Sequence, residues 1–175
     1  MLFIVGMSRA GKTETGKTLA KKCGAFFFDT DAELEKKYGL KISGIYNNLG
    51  EKKFRIAEFD ILKEISIHCA DKSSVICTGG GIAENSDAVK FLKNSKRTVL
   101  LDTDIEIIFE RIKKEVSSGK GYPKFLGKNP TEEKAKNILY SIYNKRIKIY
   151  KNISEFIFKS SDSLLSSVFL LNSFI

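Results

Sequence analysis

The chain has 175 residues, 42% of them hydrophobic and 29% charged, the size and balance of one ordinary globular domain. Such a chain buries roughly 70% of the surface its unfolded form exposes, so its core needs no metal or disulfide staples, and 13 glycines with 2 prolines exclude the collagen-like and disordered classes. The excess of 30 Lys and Arg over 21 Asp and Glu gives a formal charge of +9, which favours anionic partners without choosing among nucleotide, phosphate, nucleic acid and membrane surface.

Leu2 to Val5 is a short continuous apolar run ending at Gly6, the pattern of a strand buried on both faces. Thr13 to Lys22 carries helix formers with Leu19 and Ala20 on one face and is stopped by Gly24. Ala25 to Phe28 reads as a second strand and Asp31 to Tyr38 as a helix. Ile42 to Leu49 predicts one short helix, and Glu51 to His68 a longer one with Phe54, Ala57, Ile61, Leu62 and Ile65 at helical spacing. Ser74 to Cys77 is a strand closed by Gly79, Gly80 and Gly81; a helix near Asn85 to Leu92 leads to the strand Arg97 to Leu101. Ile105 to Val116 is helical, Ser117 to Asn129 polar, lysine-rich and glycine-bearing, and Thr131 to Tyr150 a long helix. Glu155 to Phe158 is a last strand and Leu164 to Leu171 a last helix. This alternation predicts an α/β three-layer αβα sandwich, a five-stranded parallel sheet flanked by helices, with ligands outside the carboxyl ends of the strands. The loop from Ser117 to Asn129 is long enough to serve as a lid.

Cys23, Cys69 and Cys77 lack CxxC or CxxH spacing, so they read as small buried thiols rather than a disulfide framework or zinc site. The start MLFIVGM has no basic leader, and Leu164 to Ile175 is too short and serine-broken to span a bilayer; the expected address is the cytoplasm. Lysines spread from Lys12 to Lys159 without a block describe a solvated surface, so neither nucleic acid nor membrane is an expected partner. The absence of heptads makes a monomer the expectation. His68 stands alone and reads as packing or surface.

Chemistry enters at Gly6-Met7-Ser8-Arg9-Ala10-Gly11-Lys12-Thr13, a complete GxxxxGK[ST] between a strand and a helix. Its backbone N–H groups cradle the phosphates of ATP, Lys12 reaches the β and γ oxygens, and the Thr13 hydroxyl ligates Mg²⁺. The second strand ends in Asp29-Thr30-Asp31, at the same sheet edge. One carboxylate suits a metal shell and the other an attacking hydroxyl. Thr30 with Glu33 also fits a helix-opening capping box, and both readings can hold together.

These residues belong to an ordered set that resembles the shikimate kinase family: the P-loop, the FFFDTD stretch, Ile42-Ser43-Gly44-Ile45-Tyr46 running into Gly50-Glu51-Lys52-Lys53-Phe54-Arg55 with Glu58, Cys77-Thr78-Gly79-Gly80-Gly81-Ile82, and Arg146 with Tyr150. The set spans about residues 1 to 165. The resemblance implies ATP-dependent phosphorylation of shikimate to shikimate 3-phosphate, a step of aromatic amino acid biosynthesis, by a P-loop kinase domain over 1–175 with a substrate-binding helical segment about 31–65 and a mobile lid about 116–130. It implies Lys12 and Asp31 as catalytic, and Asp31, Arg55, Gly79, Gly80, Gly81 and Arg146 as substrate-binding. ATP falls to Gly6 through Thr13 with Lys120, the metal to Thr13 and Asp29, and part of the pocket's apolar wall to Tyr46 and Phe54. The next position, 14, read as a threonine, takes no role in the nucleotide site. A small hydroxylated acid needs guanidinium forks for its carboxylate, whereas Arg55 can also pair with Glu51 on its own helix and Arg146 can be a surface cation. Two departures stand out. Tyr122 precedes Pro123 where the family usually has a lid arginine, leaving Lys120 or Lys124 as the lid cation, and Arg9 replaces a usual P-loop glycine. The alternatives are another small-metabolite kinase, such as a gluconate or nucleotide kinase, and a catalytically weak nucleotide-binding paralogue.

Overall fold

In this computed structural model, which describes residues 1–159, the apolar run Leu2–Val5 forms β1, with every residue buried. It lies at the middle of a parallel sheet, paired on one side with β3 (Ser74–Cys77) and on the other with β4 (Thr98–Asp102). β2 (Phe26–Asp29) completes one edge and β5 (Phe156–Lys159) the other, giving the order β2-β3-β1-β4-β5. Continuous apolar runs belong to strands covered on both faces, and β1 and β3 are such strands. The edge strands are more open, with Phe26, Phe156 and Ile157 exposed. The expected helix from Leu164 to Leu171 lies outside the described residues.

The chain steps outward from β1 to β2 through α1 (Lys12–Cys23) and then reverses. α2 (Thr30–Tyr38) and α3 (Ile42–His68) lead to β3, α4 (Ser86–Ser95) to β4, and α5 (Ile105–Ser117) with α6 (Glu132–Ile153) to β5. Right-handed crossovers in opposite directions place α1 on one face and the later helices on the other, which makes the three layers. The ring edges of Phe3 on Phe91 and Phe59 on Phe91, each 5.9 Å between centroids, tie β1, α4 and α3 together on the second face. The P-loop therefore leaves β1 where the helices change sides, the place for a ligand crevice in such sheets.

Expected elements are displaced by up to three residues at their ends, the largest at the C-termini of α4 and α6, with three informative differences. The helices expected at 42–49 and 51–68 run end to end as α3, broken in backbone only at Gly50 (φ 71°, ψ 167°). Asn85, expected inside a helix, is the N-cap of α4, accepting from Ala88 N at 3.1 Å, and Ile82–Glu84 before it form a single 3₁₀ turn. The capping box at Thr30 is corrected: Asp29 is the cap of α2, its Oδ1 accepting from Asp31 N at 3.0 Å, while Thr30 is fully buried.

α1 approaches the sheet closely at Gly16, where an added Cβ would lie 2.5 Å from Cys77 Sγ and 2.9 Å from the Phe27 ring. Gly16→Ala is expected to cost about 1–3 kcal/mol of stability through overpacking, seen as a lowered denaturation midpoint; an unchanged midpoint would mean that the helix–sheet spacing is not fixed there.

Candidate active site

The P-loop turns sharply because three of its residues adopt positive φ: Gly6 (147°), Arg9 (63°) and Gly11 (102°). Arg9 is not a glycine, and it is held in this left-handed conformation by its neighbours. Its Nε and Nη2 donate to Glu115 Oε2 at 3.3 and 3.0 Å, Nη1 donates to Ser8 Oγ at 2.9 Å, and its carbonyl accepts from Arg111 Nη1 at 2.7 Å. Thr103, just after β4, donates to Ala10 O at 2.9 Å. Lys12 is buried at the start of α1 and folds over the loop, Nζ donating to Gly6 O at 2.9 Å and Met7 O at 2.8 Å. Burial lowers its pKa, with Asp31, Cys77 and Asp29 pulling the other way.

The threonine read at position 14 is corrected: the residue is Glu14, an acid in the first turn of α1. Its side chain is exposed, with Oε1 4.0 Å from Lys17 Nζ. A carboxylate there suits the positive end of the helix dipole.

The end of β2 brings its acids to this loop. Thr13 Oγ1 donates to Asp29 Oδ2 at 2.7 Å, so the two expected metal ligands are already in contact. Thr30 turns inward and accepts from Gly79 N at 3.0 Å, which commits that N–H to the start of α2 rather than to a ligand. Asp31 faces Lys12 and Gly79. Burial, then the Asp29 charge, pushes its carboxyl up to about 6 against the pull of Lys12. At Gly80 a Cβ would collide with the backbone N of Ser8, so only glycine lets the chain after β3 pass this close to the P-loop.

α3 and α6 supply the arginines. Arg55 Nη1 donates to Glu58 Oε2 at 3.0 Å and Nη2 to Glu84 Oε2 at 2.8 Å, so Glu51 is not its partner. Its guanidinium lies against Gly81, and its Nε is buried without an acceptor among the described residues. Arg146 is 6% exposed and therefore not a surface cation. Its Nη1 donates to Gly80 O at 2.7 Å, as does Tyr150 Oη at 2.9 Å, while Nε and Nη2 reach Glu84 Oε1 at 3.2 and 3.1 Å. Phe54 is buried under the Arg55 guanidinium, 5.6 Å from its ring centroid, and packs edge-on against the exposed Tyr46. Glu58 is 1% exposed, and burial raises it to about 7 in spite of Arg55.

Two guanidiniums, a high-pKa carboxyl and a phosphate loop thus meet at the carboxyl edge of β1, β2 and β3. A family model described as shikimate kinase matches residues 8–170. The chain belongs to the shikimate kinase family. It is 35% identical over 167 residues to a shikimate kinase of Staphylococcus aureus (strain MSSA476), covering 95% of this chain and 86% of that one. Among solved structures it is similar to the shikimate kinase of Bacteroides thetaiotaomicron (TM-score 0.81, 26% identity, 99% and 96% of the two chains). It is also similar to that of Acinetobacter baumannii in complex with shikimate (TM-score 0.80, 27% identity, 99% and 92%).

Within this shikimate kinase fold the expected site residues gather, save one. Lys120 is exposed and its side chain makes no bond among the described residues. Neighbouring Tyr122 and Phe125 pack on the core, and Leu126 is fully buried. Glu84, Glu115 and Arg111 take no part in the sequence reading of the site, and Glu58 enters it only as a member of the motif around Arg55, with no role assigned. Glu58 leaves a trace there, because it sits among Phe54, Ala57, Ile61 and Leu62 on the buried stripe of α3, where a charged residue needs a partner. The other three are joined to the site only by long-range contacts.

Proposed function

We propose that this chain transfers the γ-phosphoryl group of ATP to a ring hydroxyl of shikimate. The observation that carries the reading is the convergence of Arg55 and Arg146, from separate helices, on a single carboxylate-sized position beside Gly80 and Asp31. Two guanidinium forks suit a carboxylate, and Asp31 stands across from them for the hydroxyls.

Bound MgATP supplies the phosphoryl group and the metal charge that neutralises it. The residues fit that group. Among the described residues no three His, Cys, Asp or Glu side chains cluster as a metal site, and Mg²⁺ on a nucleotide takes only one or two protein groups, which Thr13 and Asp29 provide. Backbone N–H groups from Gly11 to Thr13 bind phosphate oxygens, and Lys12 neutralises them with an ammonium already aimed into the loop. A loose transition state asks for positioning and charge rather than covalent help. Asp31 orients the attacking hydroxyl and accepts its proton. Arg111, whose Nη1 reaches the P-loop at Arg9 O, brings there a guanidinium charge that the lid sequence lacks, while the Arg9 charge is matched by Glu115. Residues 116–130 act as the lid, with Gly119, Gly121 and Gly127 at φ 89°, 69° and 99° giving it its bends and Lys120 reaching the phosphates on closure. Among the described residues no helix is long and apolar enough to cross a membrane, and the reading is completed by a cytoplasmic monomer acting on small molecules.

Arg146→Lys removes one fork. The shikimate KM is expected to rise about tenfold or more, the range for a charged hydrogen bond, with little change in the ATP KM. Equal effects on both substrates would assign Arg146 to the scaffold.

A further inference from the structure

One carboxylate already occupies the arginine fork: that of Glu84. Its Oε2 accepts from Arg55 Nη2 at 2.8 Å, and its Oε1 lies 3.2 and 3.1 Å from Arg146 Nε and Nη2. It spans the two guanidiniums as the acceptor's carboxylate would have to. Arg55 and Arg146 face two acids, Glu58 and Glu84, and Glu84 takes N–H groups of both guanidiniums. A further carboxylate entering this half-buried place cannot reach those N–H groups, and lies against the Glu84 charge, unless Glu84 withdraws.

The two acids differ in their freedom to leave. The Glu58 side chain is 2% exposed, within the continuous α3, and holds Arg55 from below. The Glu84 side chain is 24% exposed and ends a single 3₁₀ turn that follows the three glycines Gly79, Gly80 and Gly81. Glu84 can swing to water without disturbing a helix. We propose that Glu84 is a displaceable internal counter-ion, occupying the carboxylate subsite in the free enzyme and yielding it only to an anionic acceptor. This rests on the reading of Arg55 and Arg146 as that subsite. It makes Glu84 a specificity-determining residue: a neutral polyol with the same hydroxyls lacks the charge to displace it, so the fork stays closed.

The test is Glu84→Gln, which keeps the shape and removes the charge. A fork closed nine-tenths of the time weakens apparent affinity about tenfold, so the variant's shikimate KM is expected to fall by about that factor, with kcat changed less than KM and the ATP KM unmoved. Acetate, a bare carboxylate, is expected to become a stronger inhibitor competitive with shikimate. Glu84→Asp, too short to span both guanidiniums, is expected to fall between the two and serves if the glutamine variant does not fold. A shikimate KM that rises would make Glu84 a strut for the arginines, and an unchanged KM would remove it from the subsite; either result overturns the proposal. If Arg146→Lys raises the shikimate KM while Glu84→Gln does not lower it, the displacement idea fails and the substrate reading stands. If Arg146→Lys leaves that KM untouched, the subsite itself is misassigned and the proposal falls with it.

Discussion

Asp31→Asn is expected to lower shikimate phosphorylation by about 10²–10⁴-fold, the contribution of a positioned base, while leaving MgATP affinity within about threefold of the wild type, the variant being near-isosteric. Asp31 stands beside Lys12 yet belongs to the acceptor side, on the first turn of α2. With its carboxyl pushed up to about 6, the wild-type kcat/KM for shikimate is expected to rise with pH through an inflection near 6, as the base form appears, and the variant to lose that limb. The same shift has a stability consequence. A carboxyl whose pKa is raised on folding holds its proton more tightly in the folded state, so stability is lost as pH rises from its ordinary 3.8 to about 6. Asp31→Asn is therefore expected to be more stable than the wild type above that window, with the advantage vanishing below it. Near wild-type turnover, or a wild-type enzyme more stable than the variant at pH 8, a test pH of about two units above that pKa, would contradict this placement of Asp31.

Lys12→Met is expected to reduce turnover by about 10²–10³-fold, the scale for one preorganised charge at a reacting group, and to weaken ATP binding with it. Lys12 bridges two backbone carbonyls and is lowered in pKa by burial. A methionine of similar length fills its place without a desolvated charge, so folding is expected to persist. Titration calorimetry with MgATP beside a thermal melt separates these effects. ATP affinity unchanged from wild type would show that the ammonium does not serve the phosphates.

The central strands and the P-loop were both legible, for different reasons. β1 and β3 are covered on both faces, so their residues form unbroken apolar runs, and the loop between β1 and α1 carries a spacing fixed by phosphate geometry. The break at Gly50 was legible as two helices, because periodicity registers the change of face without showing that the segments stay end to end. Thr30 was misread because a capping box is a local pattern, whereas the buried N–H of Gly79, far along the chain, claims its hydroxyl. Arg55 illustrates the same limit. Glu51 and Glu58 are both its neighbours at helical spacing and only Glu58 holds it, while its second partner, Glu84, arrives from a turn that depends on the glycine triplet passing close to the P-loop. Arg9 stood out in the sequence as a departure from the usual P-loop glycine, but its meeting with Glu115, and that of its carbonyl with Arg111, is set by how α5 docks.

The central claim is that Lys12, Asp31, Arg55 and Arg146 serve one reaction, and steady-state ADP release from MgATP, with shikimate, gluconate or a nucleoside monophosphate as acceptor, tests it most directly. Turnover that depends on shikimate and is far slower with the other two is the predicted result. Turnover only with another acceptor, or none with any acceptor in a protein that binds ATP, would contradict it.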